Sequence, residues 1–211
     1  MSQMALPLAQ PTEPGDAAFL VTPSNEAAVR TLEGWRDWPV GTALLVGPPR
    51  SGRSTLARLF MQRTGGRVID DAAGEAEETL FHAWNAAQER HRPLLLVAAA
   101  APPIWPVALP DLRTRLTASP LASIAAPDDA LANALLARHF ERRGLPAPPD
   151  LVAWLAARTE RSHVAIERIV AALDRASLER RRRLTIPLAR SLLIEAGLID
   201  TGPTPGHLED A

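Results

Sequence analysis

Residues 42–54 have the sequence Thr42-Ala-Leu-Leu-Val-Gly-Pro-Pro-Arg-Ser-Gly-Arg-Ser54. The apolar start is typical of a buried strand, and the glycines that follow indicate a loop leading into a helix. Gly47, Gly52 and Ser54 match the phosphate-loop pattern G-x-x-x-x-G-K-[ST], but Arg53 stands at the lysine position. This stretch therefore predicts an α/β protein with an altered phosphate loop.

In such a loop, backbone N–H groups and the start of the following helix attract phosphate oxygens. Arg53 keeps the positive charge of the lysine, but its planar fork has a different shape, so nucleotide binding is compatible with it while hydrolysis is disfavoured. The alternative is a plain Gly/Pro turn before a helix. The residues that we predict to bind nucleotide here are Gly47, Pro48, Pro49, Arg50, Ser51, Gly52, Arg53, Ser54 and Thr55.

A second apolar run, Val68-Ile69-Asp70-Asp71, reads as a buried strand that ends in carboxylates. Asp70 is placed where a magnesium-binding acid is expected, one strand after the loop, and Ser54 supplies the loop hydroxyl of such a site. We therefore predict Asp70 in the nucleotide site, with Ser54 and Asp70 as Mg²⁺ ligands. The alternative is a strand exit with solvated carboxylates.

The rest of the chain divides by pattern into four regions. Residues 1–16 are a tail rich in proline and glutamine, 17–126 alternate strands with helices, 127–198 contain only helical patterns, and 199–211 form a second tail. Strands alternating with helices predict a parallel sheet covered on both faces. Residues 127–198 predict a four-helix appendage.

Composition excludes several classes of function. The chain has 211 residues, a formal net charge of −1 and no cysteine, so disulfides, thiolate metal sites and cysteine nucleophiles are excluded. Near-neutral charge removes any global attraction to nucleic acid. We expect a cytoplasmic protein with neither a targeting segment nor a membrane span.

Arginines supply the remaining candidates. Arg113 and Arg115 lie between two predicted strands, where an arginine can reach a neighbouring subunit's γ-phosphate or be an ordinary surface charge. The basic run Arg180–Arg183 is typical of a solvated turn between helices, and contact with DNA phosphates stays open. The five histidines show no metal-binding or triad spacing.

Several segments together resemble the DnaA/Hda family of AAA+ proteins, over nearly the whole chain. The resemblance rests on the glycine–arginine–serine form of the phosphate loop and on further segments in the same order and spacing. These are Gln3-Met-Ala-Leu-Pro-Leu8, Thr79-Leu-Phe-His-Ala-Trp-Asn85, Leu109-Pro-Asp-Leu-Arg-Thr-Arg-Leu116, Leu173-Asp-Arg-Ala-Ser177 and Leu184-Thr-Ile-Pro187. The implied fold is an AAA+ phosphate-loop core with a C-terminal helical lid.

The resemblance also implies a function. It implies a factor that binds ADP (or ATP), rides on the β subunit sliding clamp of DNA polymerase III, and promotes hydrolysis of ATP held by DnaA. Arg115 matches the arginine finger that acts in trans. DNA would be contacted indirectly through the clamp, at the replisome on the nucleoid. Whether the protein forms a homodimer is left open. The clamp-binding residues implied are Gln3, Met4, Leu6, Pro7 and Leu8.

Three departures from the family pattern weaken the case for hydrolysis by this chain. The stretch from Arg63 to Val68 is too short for the usual intervening strand, which predicts a sheet of about four strands. Ala99 and Val164 stand where polar sensor residues are expected, with Arg161 or Arg168 as substitutes for the second. We therefore expect no significant intrinsic ATPase. An autonomous ATPase and a clamp and DnaA adaptor that binds no nucleotide are the alternatives.

Overall fold

The computed structural model describes residues 19–180 and 183–199, with the side chains of residues 179 and 180 excepted. The predicted clamp-binding peptide, residues 3–8, lies outside the described residues, as do residues 181 and 182 of the basic run. The described residues fall into two compact units, divided between Leu131 and Ala132.

The first unit is built on a parallel sheet. Its strands are β1 (Thr42–Val46), β2 (Arg67–Ile69), β3 (Leu94–Ala98) and β4 (Leu121–Ser123). Within the described residues the sheet has four strands in the order β2-β3-β1-β4, all pairs parallel. This confirms the α/β prediction and the shortened sheet.

Helices cover both faces of this sheet. They are α1 (Glu26–Glu33), α2 (Arg53–Thr64), α3 (Glu77–Arg90) and α4 (Pro110–Ala118), with short 3-10 turns at Trp35–Asp37 and Ala72–Gly74. The predicted helix after the phosphate loop is confirmed, and Gly65 ends it in the left-handed conformation at φ 64°.

The two faces bury alternate residues of the same strands. Ala43 and Leu45 of β1 pack in one cluster with α1 and α2, whereas Leu44 and Val46 pack in another with α3 and α4. Successive strand side chains point to opposite faces, so a strand covered on both sides must be apolar throughout. All five residues of β1 and of β3 are buried.

The second unit is a helical lid with its own core. Its helices are α5 (Asp129–Arg142), which begins in the first unit, α6 (Pro149–Ala156), α7 (His163–Arg180) and α8 (Ile186–Glu195). Side chains cap two of these helices, because the Ser162 and Thr185 hydroxyls accept hydrogen bonds from the backbone N–H groups of Ala165 and Leu188. None of the helices among the described residues is both long and apolar enough to cross a bilayer.

Candidate functional site

The phosphate loop joins the carboxyl end of β1 to the first turn of α2. Two of its residues adopt positive φ, Arg50 at 61° and Gly52 at 89°, and Gly52 is the N-cap of α2. The first N–H groups of a helix have no partner within the helix. The loop therefore leads into the positive end of α2, which is the arrangement that anion binding at a helix N-terminus requires.

Close packing leaves little room for a Cβ at two glycines of the loop. A Cβ on Gly47 would lie 3.0 Å from the backbone oxygen of Ile124 and 3.0 Å from Ser51 Oγ. A Cβ on Gly52 would lie 2.9 Å from the Phe19 ring. Phe19 is 8% exposed and belongs to the buried cluster that contains residues of β1 and α2.

The Ser51 side chain adds an unsatisfied polar group to the loop. Ser51 is 4% exposed, and among the described residues its Oγ has no hydrogen-bond partner. A buried hydroxyl without a partner costs free energy unless another group satisfies it. A bound phosphate oxygen is one group of suitable chemistry.

The two predicted magnesium ligands meet in the structure. Ser54 Oγ donates a hydrogen bond of 2.8 Å to Asp70 Oδ2, although the residues are 16 positions apart. No three His, Asp or Glu side chains in the described part of the chain group as a complete metal site. Mg²⁺ typically takes one or two protein oxygens together with water and substrate phosphates, and Ser54 and Asp70 supply oxygens of that kind.

Arg115 is held by contacts from two helices. Within α4, its Nε and Nη2 donate to the two carboxylate oxygens of Asp111 at 3.0 and 2.8 Å. From α3, the Asn85 amide oxygen accepts from Nη1. The guanidinium carbon also lies 4.5 Å from the Phe81 ring centroid and 4.6 Å from that of Trp84. The Arg115 side chain stays 24% exposed, so the guanidinium is fixed yet reachable.

A carboxylate on α3 ties down the segment that leads into α4. Glu77 accepts hydrogen bonds from the backbone N–H groups of Ala108 and Leu109, both at 2.7 Å. These two bonds hold the pKa of the Glu77 carboxyl below its ordinary value. The roles of Glu77, Asn85 and Asp111 were not predicted from the sequence. Only the Asp111–Arg115 pair could be inferred there, from its i,i+4 spacing.

Ala99 and Val164, which stand where polar sensor residues are expected, are both apolar. Ala99 follows β3 directly and is exposed, and Val164 lies at the start of α7 in the lid.

The lid contains a buried histidine, His163, whose Nε2 finds no partner among the described residues. Burial, followed by the charge of His139, lowers the pKa of His163, which favours a neutral ring.

A family comparison assigns the helical unit. Residues 128–193 match the family model described as Hda, lid domain. An uncharacterized protein of Haemophilus influenzae is 29% identical over 120 residues, covering 56% of this chain and 52% of that protein. The chain thus spans about half the length of the curated relative it matches.

Solved structures agree on the fold. Domain III of the Thermotoga maritima replication initiation protein DnaA superposes with a TM-score of 0.69 at 15% identity, covering 84% of this chain and 94% of that one. A Thermotoga maritima RuvB variant gives 0.61 at 16%, covering 82% and 68%. The replication initiator DnaA bound to AMPPCP and single-stranded DNA gives 0.59 at 15%, covering 77% and 66%. Residues 128–193 therefore resemble the Hda lid domain, and the chain shares the fold of these DnaA and RuvB structures.

Proposed function

We propose that this Hda- and DnaA-related AAA+ protein is a negative regulator of DNA replication initiation that stimulates ATP hydrolysis on DnaA. In this proposal Arg115 is an arginine finger supplied in trans to the γ-phosphate of ATP bound by DnaA. The observation that carries it is the fixed, partly exposed guanidinium of Arg115. The match of residues 128–193 to the Hda lid domain supports the choice of family.

A cation placed at the γ-phosphate stabilises the charge that develops as the phosphoryl group is transferred. An arginine finger raises the rate of phosphoryl transfer by about 10³- to 10⁵-fold, so supplying or withholding it can control a slow ATPase. A guanidinium that is already oriented needs little reorganisation when the transition state forms. Arg115 therefore suits this role better than a freely rotating surface arginine would.

The chain's own loop is proposed to hold ADP. The loop N–H groups and Arg53 would bind the phosphates, and Ser54 with Asp70 would hold Mg²⁺, which supplies charge neutralisation when bound. Asp71 is one methylene shorter than the glutamate that activates water in motor ATPases, and Ala99 offers no polar group. Both departures support nucleotide holding without turnover.

The N-terminal peptide is proposed to bind the sliding clamp. Gln3, Met4, Leu6, Pro7 and Leu8 would dock as a short extended segment in an apolar pocket of the clamp. Tethering to a clamp loaded on DNA would raise the effective concentration of Arg115 near DnaA on the same DNA. The chain would then contact DNA indirectly, through the clamp.

The finger is tested by changing Arg115→Ala and, as a control on the same helix, Arg113→Ala. Arg113 is exposed on α4 and is not part of the Asp111 and Asn85 contacts. We expect Arg115→Ala to reduce stimulation of DnaA's ATPase on clamp-loaded DNA by at least about 100-fold. Phosphate release under single-turnover conditions is the measurement.

The same assay separates the alternatives. Equal stimulation by Arg115→Ala and wild type would refute the finger. Phosphate release by the chain alone would favour an autonomous ATPase. Purified protein that stimulates DnaA without binding ADP in a titration would favour the nucleotide-independent adaptor.

A further inference from the structure

We propose that Asp111 and Asn85 are positioning residues that orient Arg115 for its action in trans. This inference rests on the proposed function of Arg115. An arginine guanidinium carries five N–H donors. The contacts with Asp111 and Asn85 use three of them, on Nε, Nη2 and Nη1. One N–H on Nη1 and one on Nη2 remain for an anion.

The hydrogen bonds fix the guanidinium in two directions. Asp111 lies four residues before Arg115 on α4 and binds the Nε–Nη2 edge through both carboxylate oxygens. Such bidentate pairing defines the plane of the fork as well as its position. Asn85 approaches Nη1 from α3, a different element. The two acceptors together leave the long side chain little freedom to rotate.

Two aromatic rings support the same orientation. Phe81, Trp84 and Asn85 are spaced three and four residues apart on α3, so they share one side of that helix. The guanidinium carbon is within 4.6 Å of both ring centroids. Stacking of the planar cation on rings adds attraction without using any N–H donor. The rings therefore hold the group while leaving its hydrogen-bonding edge open.

Asp111 could instead act as a brake, because a carboxylate neutralises the guanidinium and competes for it. The geometry favours positioning. Asp111 occupies only one edge of the fork, and a phosphate can take the remaining Nη1 and Nη2 donors while the carboxylate keeps its own two bonds. The brake predicts the opposite effect of removing the carboxylate, so the two roles are separable by experiment.

The test compares Asp111→Asn and Asn85→Ala with Asp111→Glu and a matched control, Glu78→Gln. Glu78 is exposed on α3, one residue after Glu77. Stimulation of the ATPase of DnaA is measured against concentration of each variant on clamp-loaded DNA. We expect Asp111→Asn to lower the maximal stimulated rate on the order of tenfold, with the half-saturating concentration within about twofold of wild type. Asp111→Glu should recover part of the rate, and Glu78→Gln should match wild type.

A second readout needs no partner. In ¹⁵N-labelled protein, hydrogen exchange of the Arg115 Nε–H should be slow in wild type and in Glu78→Gln, and at least several-fold faster in Asp111→Asn. Thermal unfolding of each variant confirms that the chain is folded.

Each outcome decides between the roles. A maximal rate that rises in Asp111→Asn identifies a brake and overturns the proposal. A loss confined to the half-saturating concentration identifies a surface contact with the partner and also overturns it. Unchanged Nε–H exchange in Asp111→Asn refutes the orientation itself. If Nε–H exchange is faster in Asp111→Asn but Arg115→Ala stimulates DnaA normally, the orientation of Arg115 is supported and the proposed function is refuted.

Discussion

At the scale of single residues, Gly52 shows how one position joins backbone strain to packing. Its φ of 89° disfavours any L side chain, and Phe19 fills the space where a Cβ would lie. Gly65 shares only the first of these conditions, because it has φ 64° and nothing within 4 Å of a Cβ. The two glycines at the ends of α2 therefore form a matched pair.

Gly52→Ala should destabilise the protein more than Gly65→Ala does. The left-handed conformation costs either variant about 1–2 kcal/mol, and displacing the Phe19 ring adds about 1–3 kcal/mol to Gly52→Ala alone. Urea unfolding of both variants measures the difference. Equal losses of unfolding free energy would show that Phe19 does not constrain the loop.

At the scale of elements, Glu77 connects α3 to the segment that leads into α4. Both oxygens of its carboxylate accept backbone N–H groups just before α4, at Ala108 and Leu109. Phe81 and Asn85 follow Glu77 on α3, and Arg115 lies on α4. A single carboxylate thus helps to align the two helices that together hold the guanidinium.

The Glu77 contact predicts a dependence of stability on pH. Its folded-state pKa is lowered, so the stabilisation is fully present above the ordinary glutamate pKa and is lost as pH falls through the lower folded value. Glu77→Gln should unfold more easily than wild type at pH 7, and the gap should close in that acidic range. Unfolding free energies measured from neutral to acidic pH test this, with Glu78→Gln as control. A gap that stays constant with pH would exclude the ionised carboxylate as its source.

At the scale of the whole molecule, the chain combines an α/β body with a proposed nucleotide site, a helical lid and a proposed N-terminal tether. The body and the lid have separate hydrophobic clusters, consistent with the division between Leu131 and Ala132. The tether would add a binding event that neither unit supplies. Avidity on a loaded ring makes weak peptide contacts useful.

Changing Gln3→Ala together with Leu6→Ala should abolish binding to the sliding clamp, because the peptide loses its polar contact and an apolar anchor. Gln10→Ala, in the same tail but outside the proposed clamp-binding peptide (residues 3–8), is the control and should bind normally. Binding of the full chain to immobilised clamp measures both. Retained binding by the double variant would remove the tether from the proposal.

Much of this fold follows from local patterns. Continuous apolar runs bounded by glycine and proline predict β1 and β3, and the glycine spacing predicts the loop and α2, because strand and helix periodicity are properties of neighbouring residues. The short distance from Arg63 to Val68 likewise predicts the missing strand. Residues four positions apart on one helix are neighbours, so the Asp111–Arg115 pair could also be predicted from the sequence.

The contacts that complete the candidate site belong to the tertiary structure. Ser54 meets Asp70, Glu77 meets Ala108, and Asn85 meets Arg115 across separations of 16 to 31 residues. Composition and periodicity predict these helices and strands, but they do not predict which of them are neighbours in space. The sheet order β2-β3-β1-β4 and the helices packed on its faces decide that. The phosphate loop and Arg115 could therefore be predicted from the sequence alone. The orientation of Arg115 depends on the tertiary structure, because burial of one sheet face, the face of Leu44 and Val46, packs α3 and α4 into one cluster.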